Sequence, residues 1–211
     1  NCKNYNRIEG TLENTGDGKV GGIAGDNFGG TIEKAYNEGD IVGKSNGVGG
    51  ITGNNRGTIA LSINNAAIIG TGNIGTGGIS GVQVTNNNAK IINCYNLKNI
   101  NGIGRVGGIV GYCTTGQVLS CYSIGIIDGT SYVQSVVGQK TTNDIVTHND
   151  FYLNTLPTTD ANATPKTAEE MKAQAFVDLL NSGQEDNHWA MDTNNINNGY
   201  PVLKWQLNRQ K

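Results

Sequence analysis

Val48-Gly49-Gly50-Ile51-Thr52-Gly53 decides the fold, because the chain repeats it. The hexapeptide recurs at Val20-Gly21-Gly22-Ile23-Ala24-Gly25, Thr76-Gly77-Gly78-Ile79-Ser80-Gly81 and Val106-Gly107-Gly108-Ile109-Val110-Gly111, with a worn copy at Val133-Gln134-Ser135-Val136-Val137-Gly138. A second motif opens at Cys2, Ala35, Ser62, Cys94 and Cys121 and closes eight residues later at Gly10, Gly43, Gly70, Gly102 and Gly129. Successive copies lie 33, 27, 32 and 27 residues apart. Self-similarity at a period of about 20–50 residues marks an array of stacked units, none of which buries its apolar side alone.

Each unit holds three β-type runs, such as Thr31-Ile32-Glu33-Lys34-Ala35-Tyr36, Gly39-Asp40-Ile41-Val42 and Gly47-Val48-Gly49-Gly50-Ile51-Thr52, separated by Gly and Asn. Three runs and three corners make one turn of a coil. Equivalent residues of stacked coils then lie about 4.8 Å apart. On this register Ile8, Ile41, Ile68, Ile100 and Ile127 form one internal ladder, and Ile23, Ile51, Ile79, Ile109 and Val136 a second. Asn4, Asn37, Asn64 and Asn96, followed by Ser123, form a polar ladder at a corner, each amide able to bond the next. The paired glycines suit positions needing φ > 0 or close backbone approach. The predicted fold class is all-β: a right-handed parallel β-solenoid of about five turns with a C-terminal helix-plus-tail cap.

Composition agrees. Of 211 residues 32 are Gly and 30 are Asn, against 3 Pro, which argues against a helical bundle and, lacking a three-residue period, against collagen. A net charge of −2 offers no basic footprint, so nucleic acid is not an expected partner. No run approaches the roughly 18 apolar residues of a membrane helix.

Residues 1–155 are read as the solenoid and 156–211 as linker, helix and Trp-containing cap. The repeat stops near Tyr152, and residues 157–165 read as a linker. Thr167 then opens a helix with Glu170 completing a capping box; Met171, Ala175, Phe176, Leu179 and Leu180 share its apolar face, and Gly183 fits its stop. This helix and the tail bearing Trp189 and Trp205 are expected to cover the open end of the stack. The chain begins inside a repeat, which suggests a piece of a longer parent. Two corners are lengthened, at residues 11–19 and 82–88, and insertions in repeat proteins often lie on the binding side, so Asn14, Asp17, Asn86, Asn87 and Asn88 are candidate ligand contacts. Tyr36, Tyr95 and Tyr122 follow the column residue in three coils and are a candidate platform for stacking sugars, interrupted by Ile63.

The residues of catalysis do not converge. Glu9 and Asp128 share a column but stand four turns apart, and Glu38 and Asp40 have no acidic neighbour in the next copy. His148 and His188 lack the partners of a zinc site, so no metal and no cofactor are expected. Cys94 and Cys121 occupy one column in adjacent turns, within reach of a disulfide, but Ala35 and Ser62 share that column, and stacked free thiols are the favoured reading.

The Val-Gly-Gly-Ile-x-Gly hexapeptide, the preceding Cys94-Tyr95-Asn96 and the closing Asn198-Gly199-Tyr200-Pro201-Val202-Leu203 resemble the GLUG-motif repeat family. That resemblance implies a parallel β-solenoid and a secreted or cell-surface location in bacteria, among adhesin-like proteins and immunoglobulin A1-type metalloproteases whose repeats sit apart from the catalytic domain. The HExxH motif of those proteases is missing here. The expected function is a non-catalytic extracellular module for cell adhesion or ligand display, with a host or matrix glycan or protein as partner. A polysaccharide-active β-helix enzyme and a passive spacer for a separate catalytic domain are the alternatives.

Overall fold

The computed structural model describes residues 2–11, 18–84, 88–142 and 145–208. It is an all-β solenoid of about five stacked coils whose strands pair in parallel. One coil shows the plan: Thr31–Glu33, Tyr36–Asn37, Ile41–Gly43, Gly47–Gly49 and Thr52–Asn55 are five short strands, and each belongs to a different sheet. We number the sheets one to five in that order. Five strands replace the three runs read from the sequence because two runs bend within themselves. Between the first and second sheets the chain turns at Lys34, Leu61, Asn93, Ser120 and Asn149, all with φ between 51° and 54°. Between the fourth and fifth it turns at the paired glycines.

Both apolar ladders form in the expected register. Ile8, Ile41, Ile68, Ile100 and Ile127 pair consecutively in the third sheet. The amides of Ile23, Ile51, Ile79 and Ile109 each donate to the carbonyl of the equivalent residue one coil on, ending at Val136. The Asn ladder also forms: Asn4 Nδ2 donates to Asn37 Oδ1 at 2.8 Å, Asn37 to Asn64 at 2.9 Å, Asn64 to Asn96 at 2.8 Å, and Asn96 to Ser123 Oγ at 3.2 Å. Its central members are fully buried. A buried amide must find partners for donor and acceptor alike, and an in-register column supplies both. A second amide column, unforeseen in the sequence, runs through Asn27, Asn55 and Gln83 and ends on the Cys113 thiol.

The hexapeptide glycines serve close approach, not φ > 0. A Cβ on Gly49 would lie 2.1 Å from the Thr52 carbonyl oxygen, one on Gly50 2.2 Å from the Gly78 oxygen and 2.4 Å from Asn64 Oδ1, and one on Gly53 2.5 Å from the Val20 nitrogen. The chain therefore folds back on itself between the fourth and fifth sheets with backbone against backbone. The second glycine of each hexapeptide seats the amide ladder.

At the C-terminal end a side chain replaces the next coil. In each earlier coil one carbonyl accepts two amides from the coil before, as Ile51 accepts from Ile23 and Ala24. Past the last coil Asp160 Oδ2 accepts from Val136 N at 2.9 Å and Val137 N at 2.6 Å, while Asp160 Oδ1 accepts from Asn162 N. Residues 157–165 thus close the stack instead of linking two units, with Leu156 and Ala163 packed on the interior and Thr164–Lys166 added to the second sheet.

The remaining tail covers a side of the solenoid, where the sequence suggested an end. Helix α1 (Ala168–Met171) begins with the expected Thr167–Glu170 capping box. The single helix expected from residue 167 to 183 is interrupted at Ala173, whose backbone is extended, before α2 (Gln174–Asn181). That break shifts the helical phase: Met171, Phe176, Val177 and Leu180 are buried, whereas Ala175 and Leu179 face solvent. The buried face, with Trp189 and Leu203, packs on the outer side of the second sheet against Ile63, Tyr95, Tyr122 and Phe151.

Candidate functional site

The tail settles the tyrosine platform. Tyr95 and Tyr122 stack at 4.9 Å between ring centroids, as a column requires, but they are 1% and 0% exposed. Trp189 lies across both rings, at 5.7 and 5.5 Å. Tyr122 Oη donates to Pro201 O at 2.7 Å and accepts from Asn197 Nδ2, and Tyr95 Oη meets Gln206 Oε1 at 2.9 Å. At the adjacent corner Asn93 Oδ1 accepts from Trp189 Nε1, and Leu61 O accepts from Trp205 Nε1. The reading of Tyr95 and Tyr122 as ligand contacts is therefore corrected: they are the floor on which the protein's own tail is docked, because aromatic rings bury most area when another apolar surface covers them. Tyr36 is half-buried and packs against the same cluster, its hydroxyl accepting from Asn65 Nδ2. Of the loop candidates, Asn14, Asp17, Asn86 and Asn87 lie outside the described residues, and Asn88 is exposed beside the lengthened corner.

The cysteines are free thiols. Burial pushes Cys113 up to about 11, and burial together with the neighbouring Cys94 pushes Cys121 well above the ordinary thiol range. A nucleophilic thiolate is thereby disfavoured. Titration of the native protein with a thiol reagent at pH 8 is expected to find one fast group, exposed Cys2, and denaturation to release three more. Two or more fast thiols in the native state would contradict this packing.

The sixth member of the thiol column is an acid. Asp150 follows Cys121, accepts its backbone N–H at 2.9 Å, and has no partner for Oδ2. Burial raises its pKa well above the usual carboxylate range, with the Cys121 thiol adding to the shift. A carboxyl whose folded pKa lies above its unfolded one binds its proton more tightly when folded, so its contribution to stability is fullest below about pH 4 and declines as pH rises toward the folded value. Denaturation midpoints are expected to fall from pH 4 to 8, and Asp150→Asn to flatten that slope. A parallel slope in the variant would assign the titration elsewhere. The acids sharing an outer column stay apart, since Glu9, Val42, Ile69, Asn101 and Asp128 pair in that order, one per coil.

Side chains converge instead at the rim of the last coils. The residue before each hexapeptide forms a column: Lys19, Gly47, Gly75, Arg105, Tyr132. In coils two and three the glycines lie close to their neighbours: a Cβ on Gly47 would lie 2.6 Å from the Gly53 oxygen, and one on Gly75 2.2 Å from the Gly81 oxygen and 2.9 Å from Val82 Cγ1. In the last two coils the column carries the long side chains of Arg105 and Tyr132. The Arg105 guanidinium lies 4.3 Å from the Tyr112 ring centroid and 5.8 Å from that of Tyr132, donates through Nε to Gln139, and through Nη1 to Asn73 O at 3.2 Å. Tyr132 is 55% exposed and forms a wall of a cleft of about 370 Å³, with Gln134, Gln139, Lys140 and Asn162. Asn162 is shared with a second cleft of about 590 Å³ beside His148, Thr164 and Lys166. The break of the Gly column at Arg105 and Tyr132 was the signal in the sequence that could have pointed here.

Fold and rim define the class: a parallel β-solenoid, laterally clamped by its own tail, with an aromatic and cationic rim at one end. Comparison with protein-family models, curated proteins and solved structures finds no match to this chain. Among the described residues no helix is long and apolar enough to cross a membrane.

Proposed function

We propose that the protein is a non-catalytic extracellular module for adhesion or ligand display, and that the rim is where it holds its ligand. The observation that carries this reading is the Arg105–Tyr112–Tyr132 stack beside a cleft walled by amides. An aromatic face held rigidly by a guanidinium, with Gln and Asn side chains around it, offers stacking and paired donor–acceptor contacts together, as a sugar or an extended peptide needs. The scaffold suits display, because ladders of backbone and side-chain amides hold the rim without help from the ligand. The GLUG-like hexapeptide supports a surface location.

Binding of the purified chain to glycan arrays and to immobilised matrix proteins tests the reading. Binding that Tyr132→Ala abolishes, with the melting temperature unchanged, is the expected result. Absence of binding to both, or binding indifferent to Tyr132→Ala, would overturn it.

A further inference from the structure

The two rim clefts share Asn162, so they adjoin at the end of the solenoid. Among the described lining residues the exposed charge is one-sided: Lys140 lines the smaller cleft and Lys166 the larger, and Arg105 lies 5.8 Å from the Tyr132 ring centroid at the outer edge. Asp150, the acid among the described lining residues, is buried, and burial favours its neutral form. The chain as a whole carries a net charge of −2, so this cationic rim contrasts with the rest of the molecule. Lys166 also meets Glu170 at 3.5 Å, which makes its cleft the weaker of the two for an anion.

Resting on the ligand-display reading, we infer that the rim takes a linear acidic polysaccharide, one sugar face against Tyr132 and its carboxylate or sulfate groups toward Lys140 and Lys166, the chain crossing between clefts at Asn162. The Tyr132 ring supplies the stacking surface that a pyranose needs. Gln134, Gln139 and Asn162 present amides that both donate and accept, matching hydroxyl groups. The linear form follows from the adjoining clefts of about 590 and 370 Å³, which meet at Asn162 and together offer more length than either alone.

Three hexasaccharide probes test this by calorimetry: an oligogalacturonate, its methyl ester, which keeps the backbone and removes the charge, and a sulfated glycosaminoglycan fragment. One acidic probe is expected to bind at least tenfold tighter than the methyl ester. Lys140→Ala is expected to cost it about tenfold, and Lys166→Ala several-fold for the hexamer but little for a dimer. Raising salt from about 50 to 300 mM should weaken it, because exposed charges are screened. If the methyl ester binds as well as the acids and Tyr132→Ala abolishes both, the acidic preference is overturned while the display reading stands. No binding by either acidic probe overturns the inference, and binding insensitive to Tyr132→Ala overturns both.

Discussion

Gly78→Ala is expected to lower stability by roughly 3 kcal/mol or more, the upper end of what overpacking a core costs. The added Cβ would lie 2.2 Å from the Gly108 carbonyl oxygen and 2.7 Å from Asn96 Cγ. Neither neighbour has room to yield. The carbonyl is backbone, fixed by the stacking of coils, and the Asn96 amide is held by Asn64 on one side and Ser123 on the other. Gly183→Ala is the matched control: Gly183 has φ of +76° with nothing within 4 Å of an added Cβ, so only conformational strain of about 1 kcal/mol is expected. Thermal unfolding followed by circular dichroism compares them, and about 3 kcal/mol corresponds to some 6–12 °C in a chain of this size. Equal melting temperatures for the two variants would refute the backbone-to-backbone packing of the hexapeptide.

Asp160→Ala carries the other large effect, about 4 kcal/mol, since each buried donor left without a partner costs roughly 1–3 kcal/mol and this carboxylate serves the amides of both Val136 and Val137. The loss is also located. Coils contact mainly their neighbours, so damage at the end should fray the last coil first. Hydrogen exchange at Val136 and Val137 is expected to accelerate in the variant while Ile51 and Ile79 keep most of their protection. Asp160→Asn retains one acceptor oxygen but sets an NH2 group against the backbone and side-chain N–H groups of Asn162, so it should fall between wild type and Asp160→Ala. Unchanged protection at Val136 and Val137 in Asp160→Ala would show that the carboxylate is not what ends the stack.

The regular interior was legible from spacing alone. A strand places side chains on alternate faces, and a stack repeats each position at every coil, so the isoleucine columns and the Asn4–Asn37–Asn64–Asn96 ladder could be assigned by alignment of the chain with itself. The number of strands per coil was not legible, because the bends at Lys34 and at the paired glycines leave the β-type composition of each run unaltered. The candidate site was read from the same columns and came out differently. Tyr95 and Tyr122 sit where their spacing placed them, on the outer side of the second sheet, yet they do not meet solvent.

What the sequence determined by itself is whatever one coil imposes on the next: the register, the ladders, the free-thiol column and the places where glycine is required. These depend on contacts between equivalent positions, and the repeat period encodes them directly. The tertiary structure alone decided everything that joins unlike parts of the chain. That Trp189 reaches Asn93, that Asp160 supplies the missing acceptor for Val136 and Val137, and that Arg105, Tyr112 and Tyr132 share a rim with Asn162 all depend on a tail with no repeat. Its path is chosen by which apolar surface remains uncovered once the coils have stacked, and that surface exists only after folding.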